Sequence, residues 1–196
     1  MPFGMVKLGP DLHTGRDSYS GYQANGVFIG FSMLHESGTG GAPKYGVVSQ
    51  MPILGDITNP LADHTETRAS PDEAKLGYYK ATLGSGTTVE LGATERAGLY
   101  KYNFPASNER RNIIVDVSHV LPSFRGMGLG QTYLGGSIKI NVQDGGRLQY
   151  QGSGSYDMVR LTLPRSYIAE RCRCDTNSSA GLESRRKMDR VLLRLV

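Results

Sequence analysis

The side chains best suited to chemistry sit where apolar runs end. Gly26-Val-Phe-Ile-Gly-Phe-Ser-Met-Leu34 is an apolar, aromatic-rich stretch, and His35, Ser37 and Gly38 follow it at the mouth of a Gly-rich segment, Ser37-Gly-Thr-Gly-Gly-Ala-Pro-Lys44. An imidazole and a hydroxyl at a strand end offer donors and acceptors to a hydroxyl-bearing ligand; a capped loop would use the same residues. Near the start, Phe3 and Gly4 combine a ring that can stack with a backbone position open to close approach. A buried Phe followed by a turn Gly fits them equally well. His119 and Arg125 flank Leu121-Pro-Ser-Phe124, where a structural histidine is the expectation. Asp63 and Arg68 could pair on a long loop, an exposed contact worth roughly 0–1 kcal/mol.

Several chemistries fail on spacing. The Gly-rich segment ending at Lys44 lacks the Gly-Lys-Ser/Thr order of a phosphate cradle, and a strand rather than a helix follows it. Gly126-Met-Gly-Leu-Gly130 has the wrong spacing for a dinucleotide fingerprint and no βαβ pattern around it. His35, His119 and the many serines are not joined by a Gly-x-Ser-x-Gly elbow. Asp72 and Glu73 are adjacent, which does not make them the opposed pair that glycoside cleavage requires. Cys172 and Cys174 are too few for a structural zinc or a disulfide framework, so no metal ligand set is read and no compartment is inferred.

The elements that must position these groups are β. The chain has 196 residues, 38% hydrophobic and 20% charged, enough for a core, and its 26 Gly argue against a helix bundle. Gly77-Tyr-Tyr-Lys-Ala-Thr-Leu83 and Thr87-Thr-Val-Glu-Leu-Gly-Ala-Thr94 flank Gly84-Ser85-Gly86 as a hairpin. Leu99 to Phe104 places Tyr100, Tyr102 and Phe104 on one face. Asn112 to Ser118 alternates Ile113, Val115 and Val117 inward with Asp116 opposite. Ser137 to Val142 alternates Ile138, Ile140 and Val142 inward with Lys139 and Asn141 outward. Tyr45–Met51 and Arg147–Gln151 complete seven or eight strands. Alternation with one polar face predicts an antiparallel β-sandwich of two packed sheets. Residues 56–73 and 105–111 read as loops, the usual place for binding residues on a β scaffold.

Charge divides the chain. Residues 1–157 hold 13 Lys+Arg against 14 Asp+Glu, whereas residues 158–196 hold 9 against 4. The body is nearly neutral, so no nucleic-acid partner is expected despite the overall charge of +4. The shift predicts a boundary near Asp157, with a divergent basic tail at 158–196. Within it Met188, Val191, Leu192 and Leu195 fall at i, i+3, i+4 and i+7, predicting an amphipathic basic C-terminal helix from Leu182. No run of 18 uncharged apolar residues is present, so no membrane-spanning helix is expected. Met1–Pro10 has one Lys and no long apolar core, and does not read as a secretion signal.

Taken in order, a set of blocks resembles the N-terminal domain of glycoside hydrolase family 92, the α-mannosidases, and its fungal members most. They are Met1-Pro-Phe-Gly-Met-Val-Lys-Leu-Gly-Pro10, Gly30-Phe-Ser-Met-Leu-His-Glu-Ser-Gly-Thr-Gly40, Tyr45-Gly-Val-Val-Ser-Gln-Met-Pro52 and Asn59-Pro-Leu-Ala-Asp63, then Ala93-Thr-Glu-Arg-Ala-Gly98, Val115-Asp-Val-Ser-His119 and Gln151-Gly-Ser-Gly-Ser-Tyr156. The resemblance covers about residues 1–157. It implies a β-sandwich that packs on a C-terminal (α/α)6 barrel, with terminal α-mannose removed by inversion between them. It also implies that the general acid, the base and the calcium ligands belong to the barrel, leaving no cofactor on this chain. The sandwich would form one wall of the sugar pocket, with Phe3 and Gly4 near it.

Two departures accompany the resemblance. Met1 falls inside the first block, implying an absent first strand and an unpaired edge. The likeness also ends near Asp157, implying a tail of different origin. The resulting expectation is a truncated α-mannosidase-like chain, inactive alone, whose sandwich contacts an α-mannose-containing glycan through Phe3, Gly4, His35, Ser37 and Gly38. The alternatives are a stand-alone non-catalytic carbohydrate-binding module and an interaction protein acting through the basic tail. Oligomeric state and compartment stay open, although members of the family are often secreted.

Overall fold

A computed structural model describes residues 6–13, 22–35, 45–122, 131–142, 148–158, 163–167 and 190–195. These residues form twelve strands: β1 (Gly9–His13), β2 (Val27–His35), β3 (Tyr45–Leu54), β4 (Glu73–Lys75), β5 (Tyr78–Thr82), β6 (Thr88–Ala93), β7 (Gly98–Asn103), β8 (Arg111–Asp116), β9 (Gln131–Val142), β10 (Leu148–Met158), β11 (Leu163–Tyr167) and β12 (Arg190–Leu195). The strands pair antiparallel throughout, in sheets ordered β1-β2-β3-β8-β12, β4-β5-β6-β7 and β11-β10-β9. The described residues contain no helix, hence none long and apolar enough to cross a membrane.

The architecture is the expected antiparallel, mainly β arrangement, with a third sheet added to the two anticipated. The reason lies in β8. Its alternation suggested one polar face, yet Ile113, Ile114, Val115 and Asp116 are all buried. Ile114 joins Leu12, Phe28, Phe31 and Met51 against Ala81, Val89 and Leu91 of the four-stranded sheet. Ile113 and Val115 join Leu148 and Tyr150 of β10, with Ile138 and Ile140 of β9 packed alongside. A strand covered on both sides cannot keep a solvated polar face. Val142, expected inward, is 63% exposed at the end of β9.

Local backbone features set these packings. The hairpin between β5 and β6 turns where Gly86 N–H donates to the Leu83 carbonyl, and Gly86 has φ +82, a conformation Gly adopts without a Cβ penalty. In β2 the pairing with β1 slips so that Leu12 faces Phe28 while Asp11 faces Gly30. That bulge puts Phe28 and Phe31 on one side despite their odd spacing, with rings stacked at 5.4 Å. β3 opens with Tyr45 and Gly46 at φ 69 and 82, and Val48 follows at φ 57. The kink turns Val47 and Val48 toward Tyr156.

Gln50 of β3 ties the three sheets together. Its amide nitrogen donates to the Tyr150 hydroxyl of β10 at 2.7 Å, and its carbonyl accepts from the Tyr102 hydroxyl of β7 at 2.9 Å. Both polar ends of one side chain are thus satisfied by different sheets.

The tail differs from expectation where it is described. β10 runs through Asp157 to Met158, and β11 pairs back on it, so strand structure continues past the charge boundary. Most of the expected basic helix lies outside the described residues. Its last part, Arg190–Leu195, is strand β12, paired with β8. The segment Arg-Val-Leu-Leu-Arg-Leu alternates as well as it fits a helical wheel, and the open edge of β8 decides between the two periods. Gln50→Ala should remove both inter-sheet bonds and lower stability by about 1–3 kcal/mol. A urea titration of native and variant chains measures this.

Candidate functional site

Four polar side chains meet at the β1–β2 side of the five-stranded sheet. Asp11 of β1 is fully buried, Ser32 of β2 likewise, and His35 closes β2 in a buried position. The fourth, His119, follows β8. His35 Nε2 donates to Asp11 Oδ1 at 2.6 Å, and Ser32 Oγ donates to the same oxygen at 3.0 Å. His119 Nε2 donates to Asp11 Oδ2 at 2.9 Å. The other ring nitrogen of His35, Nδ1, donates to the Lys7 carbonyl at 2.7 Å.

The geometry sets the charge state. Both nitrogens of His35 face oxygens that only accept, a carboxylate and a backbone carbonyl, so the ring carries both protons. Burial by itself would raise the Asp11 carboxyl; the His35 charge and the hydrogen bonds from His119 and His35 more than reverse this and hold it well below the usual carboxylate range. Burial would lower His35, but the Asp11 charge, their hydrogen bond and the Lys7 carbonyl raise it above an ordinary histidine. The pair is an internal ion pair sealed from water.

Neighbouring strands leave room for it and little more. Gly30, across from Asp11, has no side chain, and a Cβ there would collide with Ser49 Oγ. Nearby, Asp116 accepts from the backbone N–H and the hydroxyl of Ser118, shaping the turn that leads to His119. The cluster therefore pins β1, β2 and the segment after β8 to one another.

The sequence-predicted residues divide accordingly. His35 is placed, but as an anchor within this cluster. Phe3, Gly4, Ser37 and Gly38 lie outside the described residues. His119 takes a structural hydrogen bond. Arg68 pairs with Asp72 rather than Asp63: Nε and a terminal nitrogen contact the two carboxylate oxygens at 2.8 and 2.9 Å. A bidentate partner four residues away outcompetes a single exposed contact. Asp11 was missed altogether. Its signal was a lone acid between Pro10 and Leu12, visible only once β1 is recognised as a strand.

Among the described residues, no group of three or more His, Cys, Asp or Glu is arranged to hold a metal ion. Asp11 spends its oxygens on His35, His119 and Ser32, so these residues do not fit a calcium site.

With this geometry in view, the model of the glycosyl hydrolase family 92 N-terminal domain matches residues 1–187. The chain belongs to that family. The match, like the strand pairing, continues beyond Asp157. A curated relative is an uncharacterized secreted glycosidase of Arthroderma benhamiae, 33% identical over 136 residues, covering 63% of this chain and 18% of the relative. Two solved structures share the fold. The family 92 glycosyl hydrolase ccman5 has a TM-score of 0.57 at 21% identity, covering 79% of this chain and 21% of its own. A family 92 inverting mannosidase from Bacteroides thetaiotaomicron has a TM-score of 0.55 at 20% identity, covering 76% and 18%. The chain thus spans about a fifth of the length of these family 92 relatives.

Asp11→Ala leaves the buried charge of His35 without its counter-ion and should cost about 3–5 kcal/mol in a denaturant titration. The pH dependence has a definite sign. The raised His35 contributes fully below its unfolded value of about 6.5 and loses its contribution as pH rises through its higher folded value. The depressed Asp11 contributes above about 3.9 and fades only in strong acid. The melting temperature should therefore fall as pH rises above about 6.5 in the native chain, and this slope should flatten in His35→Gln.

Proposed function

We propose that this family 92 N-terminal domain is the glycan-facing part of an α-mannosidase-type glycosidase, and that by itself it binds an α-mannose-containing glycan without cleaving it. The observation that carries this reading is how three carboxylates are committed, Asp11 and Asp72 inside the protein and Glu90 on the outer face of β6. Asp11 is committed to two histidines, Asp72 to Arg68, Tyr79 and Tyr22, and Glu90 to Lys101, Tyr78 and Asn103. All three are held below their ordinary values: Asp11 and Asp72 by hydrogen bonds and charges that outweigh burial, Glu90 chiefly by its bond to Lys101.

Glycoside cleavage needs one carboxyl that keeps its proton near neutral pH, facing a second that stays ionised. Carboxylates arranged as these are serve as anchors for a wall, not as a general acid. The opposed pair would then come from residues outside this domain. The fold of the mannosidase and of the other family 92 hydrolase supports a shared framework, and the secreted glycosidase supports the reaction class. The stretch beyond His35, with Ser37 and Gly38, and the Phe3-Gly4 pair remain the residues proposed to line that wall.

The purified chain incubated with para-nitrophenyl α-mannoside should release no nitrophenol above the buffer rate. Steady turnover that survives repurification would overturn the non-catalytic reading.

A further inference from the structure

A concave surface lies away from the buried Asp11 cluster. The loop after β3 folds back over the start of β2, leaving an open groove of about 630 Å³ between residues 22–27 and 67–72. This volume falls within the usual range for small-ligand sites. Tyr22 forms one side and is 43% exposed. Its hydroxyl donates to Asp72 Oδ2 at 3.2 Å, which orients the ring at the groove's side.

The base of the groove is rigid and electrically balanced. Asp72 takes both oxygens to Arg68 and accepts again from the Tyr79 hydroxyl at 2.7 Å. Arg68 also donates to the carbonyls of Ala24 and Gly26, at 2.6 and 3.1 Å, and lies over the Phe28 ring. These bonds join the two walls, and each charge has its counter-ion within the groove. What remains toward solvent is neutral: the Tyr22 ring, the small apolar Ala24, Ala69 and Pro71, and the exposed Asn25, Thr67 and Ser70.

An ion would find no uncompensated opposite charge here, and a wholly apolar ligand would desolvate an amide and hydroxyls without replacing their hydrogen bonds. A ligand with an apolar C–H face and a hydroxylated rim satisfies both parts. We propose that this groove is a subsite for a single neutral pyranose ring, seated against Tyr22 with its hydroxyls toward Asn25, Thr67 and Ser70. The inference rests on the proposed glycan-binding role, but it places a sugar apart from the Asp11–His35–His119 cluster.

The test is a titration of the isotopically labelled full chain with methyl α-mannopyranoside, followed by backbone amide shifts, with melting temperatures measured for every variant. The expected result is saturable shifts at Asn25, Thr67 and Ser70, binding roughly three- to tenfold weaker in Tyr22→Ala, and retention of most binding in Tyr22→Phe, which keeps the ring. Unchanged affinity in a folded Tyr22→Ala variant overturns the subsite, as does the absence of shifts at these three amides. Shifts confined to the surroundings of His35 and His119 overturn the subsite alone and leave the proposed function standing.

Discussion

A carboxylate with no access to water must be neutralised from within, and in this protein that requirement falls on Asp11. Its two oxygens are matched by two imidazoles and a hydroxyl drawn from β2 and from the turn after β8. The coupling is mutual. His35 can hold its second proton in a buried position only because Asp11 stands beside it and the Lys7 carbonyl takes the other N–H. Desolvating two ions costs several kcal/mol each, so such a pair adds little net stability over a well-packed apolar pair. What it imposes is placement: three segments distant in sequence have one arrangement that satisfies every partner.

Around that point the sheets are organised by a second constraint, the double burial of β8. One face of the strand contributes to the core shared with the four-stranded sheet, and the other contributes to the core with β9 and β10. Gln50, on the neighbouring strand, places a polar contact between layers where an apolar side chain could not discriminate among registers. β12 then closes the edge of β8, supplying partners to backbone groups that would otherwise template pairing with another chain.

The two polar clusters illustrate how a β scaffold neutralises its own buried carboxylates. In each, carboxylates are neutralised by fixed cations and become supports: Asp11 by His35, Asp72 by Arg68. Supports of this kind lower the entropy cost of holding neighbouring side chains in place. They also keep these acids ionised, so neither has a proton to give near neutral pH.

Much of this was legible in the residues alone. Apolar and β-favouring runs named β2, β3, β5, β6 and β10 and the Gly84–Gly86 turn, and period-two alternation named β7, β8 and β9, because side-chain alternation is a local property of the extended backbone. The ordered blocks from Met1 to Tyr156 carried the family. Tertiary structure alone decided what the polar residues do. Pattern could not tell that Asp116 would be buried, that Arg68 would choose Asp72 over Asp63, or that Asp11 would lie between two histidines far along the chain. Nor could it choose between helix and strand for Arg190–Leu195, whose apolar spacing satisfies both periods. In each case the outcome depends on which strand lies alongside, and the energy of a buried charge or an open sheet edge belongs to that neighbour as much as to the residue itself.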